Sequence, residues 1–141
     1  MIAGSPILLD SSALIEYYRP SGSPAVQAAV AEAISQERAA VNGIIQVEIL
    51  VFAPDQASYR KLLADFQAFH WLDLGSEEFA LATELGFQLR RQGVTVPPTD
   101  LMIAASGIQA GATLYHLDAH YDLIAQHSNL SARHLFRESH E

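Results

Sequence analysis

Two short strand-like runs, more than a hundred positions apart, each lead straight into an aspartate: the apolar Pro6-Ile-Leu-Leu-Asp10, and Thr113-Leu-Tyr-His-Leu117 followed by Asp118. The first, an uninterrupted apolar run, suits a strand covered on both faces, and so belongs in a parallel sheet with helices on either side. In open α/β sheets, ligands sit outside the carboxyl ends of the strands. Two acids delivered to that edge can face one crevice.

The segments between the two runs alternate helix and strand signals. Ser11–Tyr18 reads as a helix closed by Pro20, and Pro24 opens another with Val26, Val30, Ala33 and Ile34 on one face. Ala39–Val41 is a candidate strand, and Asn42 caps a helix expected to run to about Ala53. Pro54 breaks it and Asp55 caps a successor carrying Tyr59, Leu62, Leu63, Phe66 and Phe69, followed by a candidate strand over Trp71–Leu74. Ser76-Glu-Glu78 starts a helix with Phe79, Ala82, Leu85 and Leu89 along one side and Gly93 beyond its end. A further helix begins near Asp100 and stops at Gly111, and a short helix and a strand near Ser131–Leu135 follow Asp118. This alternation predicts an α/β fold with a central, mainly parallel sheet of four to five strands flanked by helices.

Nothing divides the 141 residues, so one domain spanning residues 1–141 is expected. With no cysteine, disulfides, thiolate catalysis and cysteine-based zinc sites are excluded. The opening Met-Ile-Ala-Gly-Ser-Pro has no basic leader and Ile7–Leu9 is too short to span a membrane, so a cytoplasmic protein is expected.

Glu48 and Asp100 add to the two strand-end acids, because both sit in strongly apolar segments: Gly43-Ile-Ile-Gln-Val-Glu-Ile-Leu-Val51 and Asp100-Leu-Met-Ile-Ala-Ala105. An unpaired carboxylate there is costly. The only lysine, Lys61, lies on an amphipathic surface helix. Two carboxylates about 4 Å apart repel by roughly 4 kcal/mol at an effective dielectric of 20, so four in one pocket call for a cation. Oxygen donors without cysteine select a hard ion, Mg²⁺ or Mn²⁺, which can activate water for in-line attack on a phosphodiester. Taken singly, each acid is more often a cap or half of an ion pair; the set of four carries the signal. The formal charge of −8, from 16 acids against 8 bases, counts against nucleic-acid binding unless a metal masks part of it.

Four segments, in order, resemble the motifs of the PIN-domain nucleases, and among them the VapC-type toxins of bacterial toxin–antitoxin pairs. Ile7-Leu-Leu-Asp-Ser-Ser-Ala-Leu-Ile15 is similar to the first, Asn42-Gly-Ile-Ile-Gln-Val-Glu-Ile-Leu50 to the second and Thr99-Asp-Leu-Met-Ile-Ala-Ala105 to the third. Leu114-Tyr-His-Leu-Asp-Ala-His-Tyr121 resembles the fourth, in which an aromatic follows the acid by three positions. The resemblance implies a PIN-like three-layer α/β/α domain and an Mg²⁺- or Mn²⁺-dependent endoribonuclease. It makes Asp10, Glu48, Asp100 and Asp118 the catalytic, metal-site acids, and Ser12 a hydroxyl that orders Asp10 or a water on the metal. It implies RNA as substrate, a small cognate antitoxin that blocks the site, and a homodimer. His116 departs from the pattern, which commonly has Thr or Ser there.

His116 and His120 flank Asp118, and a His–Asp–His site is disfavoured by the hard oxygens around it. Asp122 shares a helix face with Asp118 and reads as a solvated surface acid; Arg90 and Arg91 read as cations at a helix end. Tyr17 and Tyr18 fit either core or a protein-binding groove, and Gly22 and Gly43 form no phosphate loop. A receiver-like phosphotransfer domain needs a late lysine, and none follows Lys61; an aspartyl-phosphate phosphatase needs an acid where Ser12 stands. A PIN-like fold kept only as an inactive binding module would not need all four acids.

Overall fold

The computed structural model describes residues 4–135; the first three residues and those after Leu135 lie outside it. Its elements are β1 (Ile7–Leu9), α1 (Ser11–Tyr18), α2 (Pro24–Ser35), β2 (Ala39–Val41), α3 (Gly43–Leu50) and α4 (Gln56–Ala68). They continue with β3 (His70–Trp71), α5 (Ser76–Arg91), α6 (Pro98–Ala110), β4 (Thr113–His116), α7 (Ala119–Gln126) and β5 (Ser131–His134).

The sheet has five strands in the order β3-β2-β1-β4-β5, and every pairing is parallel. Leu8 at its centre is in register with Ala40 on one side and Leu114 on the other. Ile7, Leu8, Leu9 and Ala39–Val41 are all buried, as an apolar strand covered on both faces requires. Ile7 faces Ala29 and Ala33 of α2, whereas Leu8 meets Gly107 of α6. Right-handed crossovers therefore put α1–α4 on one face and α5–α7 on the other, giving three α/β/α layers.

Five of the helix starts are fixed by side-chain caps. The side chains of Asp10, Ser23, Asn42, Asp55 and Asp118 accept from backbone N–H groups in the first turns of α1, α2, α3, α4 and α7. Gly111 ends α6 at φ +65°, a conformation that favours glycine.

Three boundaries differ from the sequence expectations. The helix capped by Asn42 stops at Leu50, not Ala53: Phe52 and Ala53 donate to Ile49 and Leu50 in tight turns, because Pro54 drives the residue before it out of helical geometry. Of Trp71–Leu74 only Trp71 pairs, together with His70; Leu72 makes one more backbone bond, to Val41, before the chain leaves for Gly75. β4 ends at His116, one residue before Leu117. Phe79 and Tyr59, expected on packed faces, are 49% and 40% exposed, since α5 buries Ala82 and Leu89 and α4 buries Phe66 instead.

The chain runs outward from β1 through β2 to β3, then returns to β4 on the other side of β1. This reversal opens a crevice at the carboxyl ends of β1 and β4. Asp10 and Asp118 stand at that edge.

Candidate functional site

Asp10 follows β1 and caps α1, and the residue is 5% exposed. Oδ2 accepts from the Ser12 backbone N–H at 3.0 Å and from the Ser12 hydroxyl; Oδ1 accepts from the Tyr121 hydroxyl at 2.9 Å. The Ser12 hydroxyl oxygen also accepts from the Leu117 N–H at 3.0 Å. One hydroxyl thus ties the turn after β1 to the turn after β4.

Asp118 caps α7, its Oδ1 accepting from the His120 N–H at 2.9 Å. Asp100 lies in the first turn of α6. Its Oδ2 is 2.9 Å from His120 Nδ1, and its Oδ1 is 3.4 Å from the Tyr121 hydroxyl that also serves Asp10. His120 Nδ1 is in turn 3.3 Å from Asp118 Oδ1. Asp10, Asp100 and Asp118 are therefore linked through two consecutive residues of α7.

Glu48 comes in from α3. Buried Asn42 holds that helix to α6, accepting from Ile45 and donating to Ser106 Oγ at 2.9 Å. Glu48 Oε1 accepts from the Ser11 hydroxyl at 2.6 Å. Burial pushes the Glu48 carboxyl pKa up; the Ser11 bond opposes this, and the charges of Asp10 and Asp100 add to the rise. Burial also raises Asp100, its hydrogen bond with His120 pulls the other way, and Asp118 and Asp10 push it further up. Burial raises the Tyr121 phenol strongly, and the Asp10 and Asp100 charges add to it, so it stays a neutral donor. Among the described residues no Lys or Arg pairs with any of the four acids. The electrostatics are those of crowded oxygens short of positive charge, a donor set that fits a hard divalent cation.

The two histidines flanking Asp118 point different ways. His116, fully buried and standing where the pattern commonly has Thr or Ser, accepts from the Asp118 N–H through Nδ1 at 3.1 Å. Burial lowers its pKa, so the ring is neutral and carries its proton on Nε2. That atom is directed at Asp122 Oδ1 but stops at 3.7 Å, too far for a hydrogen bond, while Asp122 Oδ2 lies 2.7 Å from His134 Nδ1. Asp122 is thus not a solvated surface acid but half-buried between histidines. His116, Asp122 and His134 have metal-like spacing, yet the proton on His116 Nε2 makes that nitrogen a donor and not a ligand.

Sequence reasoning did not single out Ser11, Tyr121 or His134. Tyr121 had a signal, as the aromatic three positions after Asp118; Ser11 and His134 had none. Arg91 stacks on Phe87 with its guanidinium 5.7 Å from the ring centroid, a helix-end cation as expected. Tyr17 and Tyr18 pack edge to face, and the Tyr18 hydroxyl donates to Asp65 at 2.9 Å. Beside Glu48 lies an apolar groove of about 330 Å³, lined by Leu14, Ile15, Tyr18, Ile49, Phe52 and Leu62.

Residues 7–126 match the PIN domain, a span that takes in all four acids. The chain belongs to the PIN-domain family. It is 36% identical over 130 residues to Ribonuclease VapC11 of Mycobacterium tuberculosis, covering 89% of this chain and 96% of that protein. Its fold resembles that of FitAB bound to the IR36 DNA fragment, with TM-score 0.77 at 17% identity over 90% of this chain and 93% of the other. It is also similar to VapBC2 from Rickettsia felis bound to a promoter DNA fragment, with TM-score 0.73 at 17% identity, covering 90% and 96%. As a PIN domain the chain is thus a three-layer α/β/α protein, and no helix among its described residues is long and apolar enough to cross a membrane.

Proposed function

We propose that this PIN-domain protein is an endoribonuclease dependent on Mg²⁺ or Mn²⁺, the toxin of a type II toxin–antitoxin pair. The observation that carries the reading is the convergence of Asp10, Asp100 and Asp118 on Tyr121 and His120, with Glu48 electrostatically coupled to Asp10 and Asp100. The similarity to Ribonuclease VapC11 supports RNA as the substrate.

In this reading Asp10, Glu48, Asp100 and Asp118 hold the cation. Bound there, it supplies positive charge to the phosphodiester and lowers the pKa of water for in-line attack on phosphorus. The chain's own residues prepare the geometry. Ser12 fixes one oxygen of Asp10 and, through Leu117, the turn that delivers Asp118. Tyr121 orients Asp10 and Asp100, and Ser11 orients Glu48. Asp10 and Asp118 cap α1 and α7, so each carboxylate sits at a helix N-terminus that fixes its orientation. The raised Glu48 and Asp100 carboxyls crowd the cation-free site, which a bound divalent ion would relieve. A cation held by these acids would also offset part of the −8 charge that repels RNA.

The apolar groove beside Glu48 supports the antitoxin assignment, because an apolar segment seated there would lie against one of the four acids. A homodimer and a cytoplasmic setting complete the proposal. Purified full-length protein should cleave RNA with Mg²⁺ or Mn²⁺ and stop on adding EDTA. Cleavage that continues in EDTA, or survives Asp10→Asn, overturns the assignment.

A further inference from the structure

We propose that His120 is itself a ligand of the metal centre, placing one imidazole nitrogen beside the carboxylate oxygens of Asp100 and Asp118. This rests on the reading that the acidic cluster holds a divalent cation. Metal–ligand bonds of about 2.1 Å put neighbouring ligands about 3 Å apart. His120 Nδ1 already stands 2.9 Å from Asp100 Oδ2 and 3.3 Å from Asp118 Oδ1, and all three ligand atoms lie within 4.8 Å of one another.

Local structure holds that spacing. His120 is the second residue of α7, and its own N–H is bonded to the Asp118 carboxylate, which sets the turn from which the ring projects. The neighbouring Tyr121 hydroxyl sits beside Asp100 Oδ1, leaving Oδ2 to the imidazole. As a ligand the ring would present its Nδ1 lone pair beside the two carboxylates and carry its proton on Nε2. His116 has no such freedom: its Nδ1 is committed to the Asp118 N–H. Of the two histidines flanking Asp118, only His120 is free to ligate through Nδ1.

An imidazole nitrogen suits first-row transition ions better than Mg²⁺, which favours oxygen and keeps its water. His120 therefore tilts an otherwise hard site toward Mn²⁺.

Electron spin echo modulation of Mn²⁺ bound to the full chain reads a coordinated nitrogen directly and needs no turnover. Wild type should show ¹⁴N modulation that is lost in His120→Gln and kept in His127→Gln, a surface control. By calorimetry His120→Gln should weaken Mn²⁺ binding about tenfold, with a smaller change for Mg²⁺. The side chain is 40% exposed, so the variant should fold; His120→Asn with a circular dichroism check is the second version. Mn²⁺ bound without ¹⁴N modulation, or modulation surviving His120→Gln, overturns the inference and leaves an all-oxygen metal centre in place. No Mn²⁺ binding by wild type, or binding indifferent to Asp10→Asn, brings down the metal centre and this inference together.

Discussion

The Tyr121 hydroxyl donates to Asp10 Oδ1 at 2.9 Å, reaching from the helix that Asp118 caps to the acid at the end of the central strand. The tyrosine ring is buried and packs against His116 at a centroid distance of 5.2 Å, so its polar tip is aimed by the core. Tyr121→Phe separates the two roles. The ring should stay in place and the fold survive, at a cost of about 1–2 kcal/mol for a lost hydrogen bond to charged groups. With Asp10 and Asp100 no longer oriented, RNA cleavage should fall about tenfold. Denaturant melts and single-turnover cleavage measure both.

Asp10→Asn is predicted to abolish divalent-ion binding and cleavage without unfolding the chain. The amide oxygen can still accept from both donors of Ser12, and the amide nitrogen then faces a tyrosine hydroxyl able to accept from it. Calorimetry with Mn²⁺, beside a circular dichroism melt, decides it. Wild-type Mn²⁺ affinity in the variant would remove Asp10 from the ligand set.

Much of this site can be read from the chain, for a physical reason. A buried parallel strand must be apolar and must end, so Leu9 followed by Asp10 marks a sheet edge. The caps Asn42, Asp55 and Asp118 are equally local, because an N-cap oxygen bonds within three residues of itself. What one dimension hides is direction. Ser11 and Ser12 are neighbours, yet one hydroxyl goes to Glu48 and the other to Asp10. His116 and His120 are symmetric about Asp118 in sequence, but a strand end precedes it and a helix start follows, so the rings diverge. The bounds of β3 are not legible in the sequence, because an edge pairing of two residues leaves almost no periodicity.

Phe52 tests the proposed antitoxin groove. It is 82% exposed at the groove's rim, and an aromatic so placed contributes little to the fold. Phe52→Ser should change stability by no more than about 0.5 kcal/mol and leave RNA cleavage intact. Affinity for the cognate antitoxin, measured by surface plasmon resonance, should fall by about tenfold or more if this is an anchor position. Unchanged affinity would place the antitoxin on another face.

Glu48→Gln tests the strain in the metal-free site, and pH supplies the control. Burial and the charges of Asp10 and Asp100 raise the Glu48 pKa in the folded protein. The native state then binds more protons than the unfolded chain between the ordinary carboxylate value and the raised one, so stability falls as pH rises through that window. Below the ordinary value, about 4.3 for Glu, both states are protonated and the penalty is absent. Gln keeps an oxygen for the Ser11 hydroxyl and carries no charge at any pH. In EDTA at pH 7–8 the variant should therefore melt above wild type, on the order of a few degrees. The gap should close as the pH falls toward the carboxylate range. Adding Mn²⁺ at neutral pH should narrow or reverse it, since an ion at a hundred times its Kd stabilises the wild type by about 2.7 kcal/mol and the variant by less. Melts of both proteins across pH, with and without metal, measure all three effects. A Glu48→Gln protein that melts below wild type in EDTA at pH 7–8 would mean that the ionised carboxylate stabilises the fold, through Ser11, by more than its burial and its neighbours' charges cost.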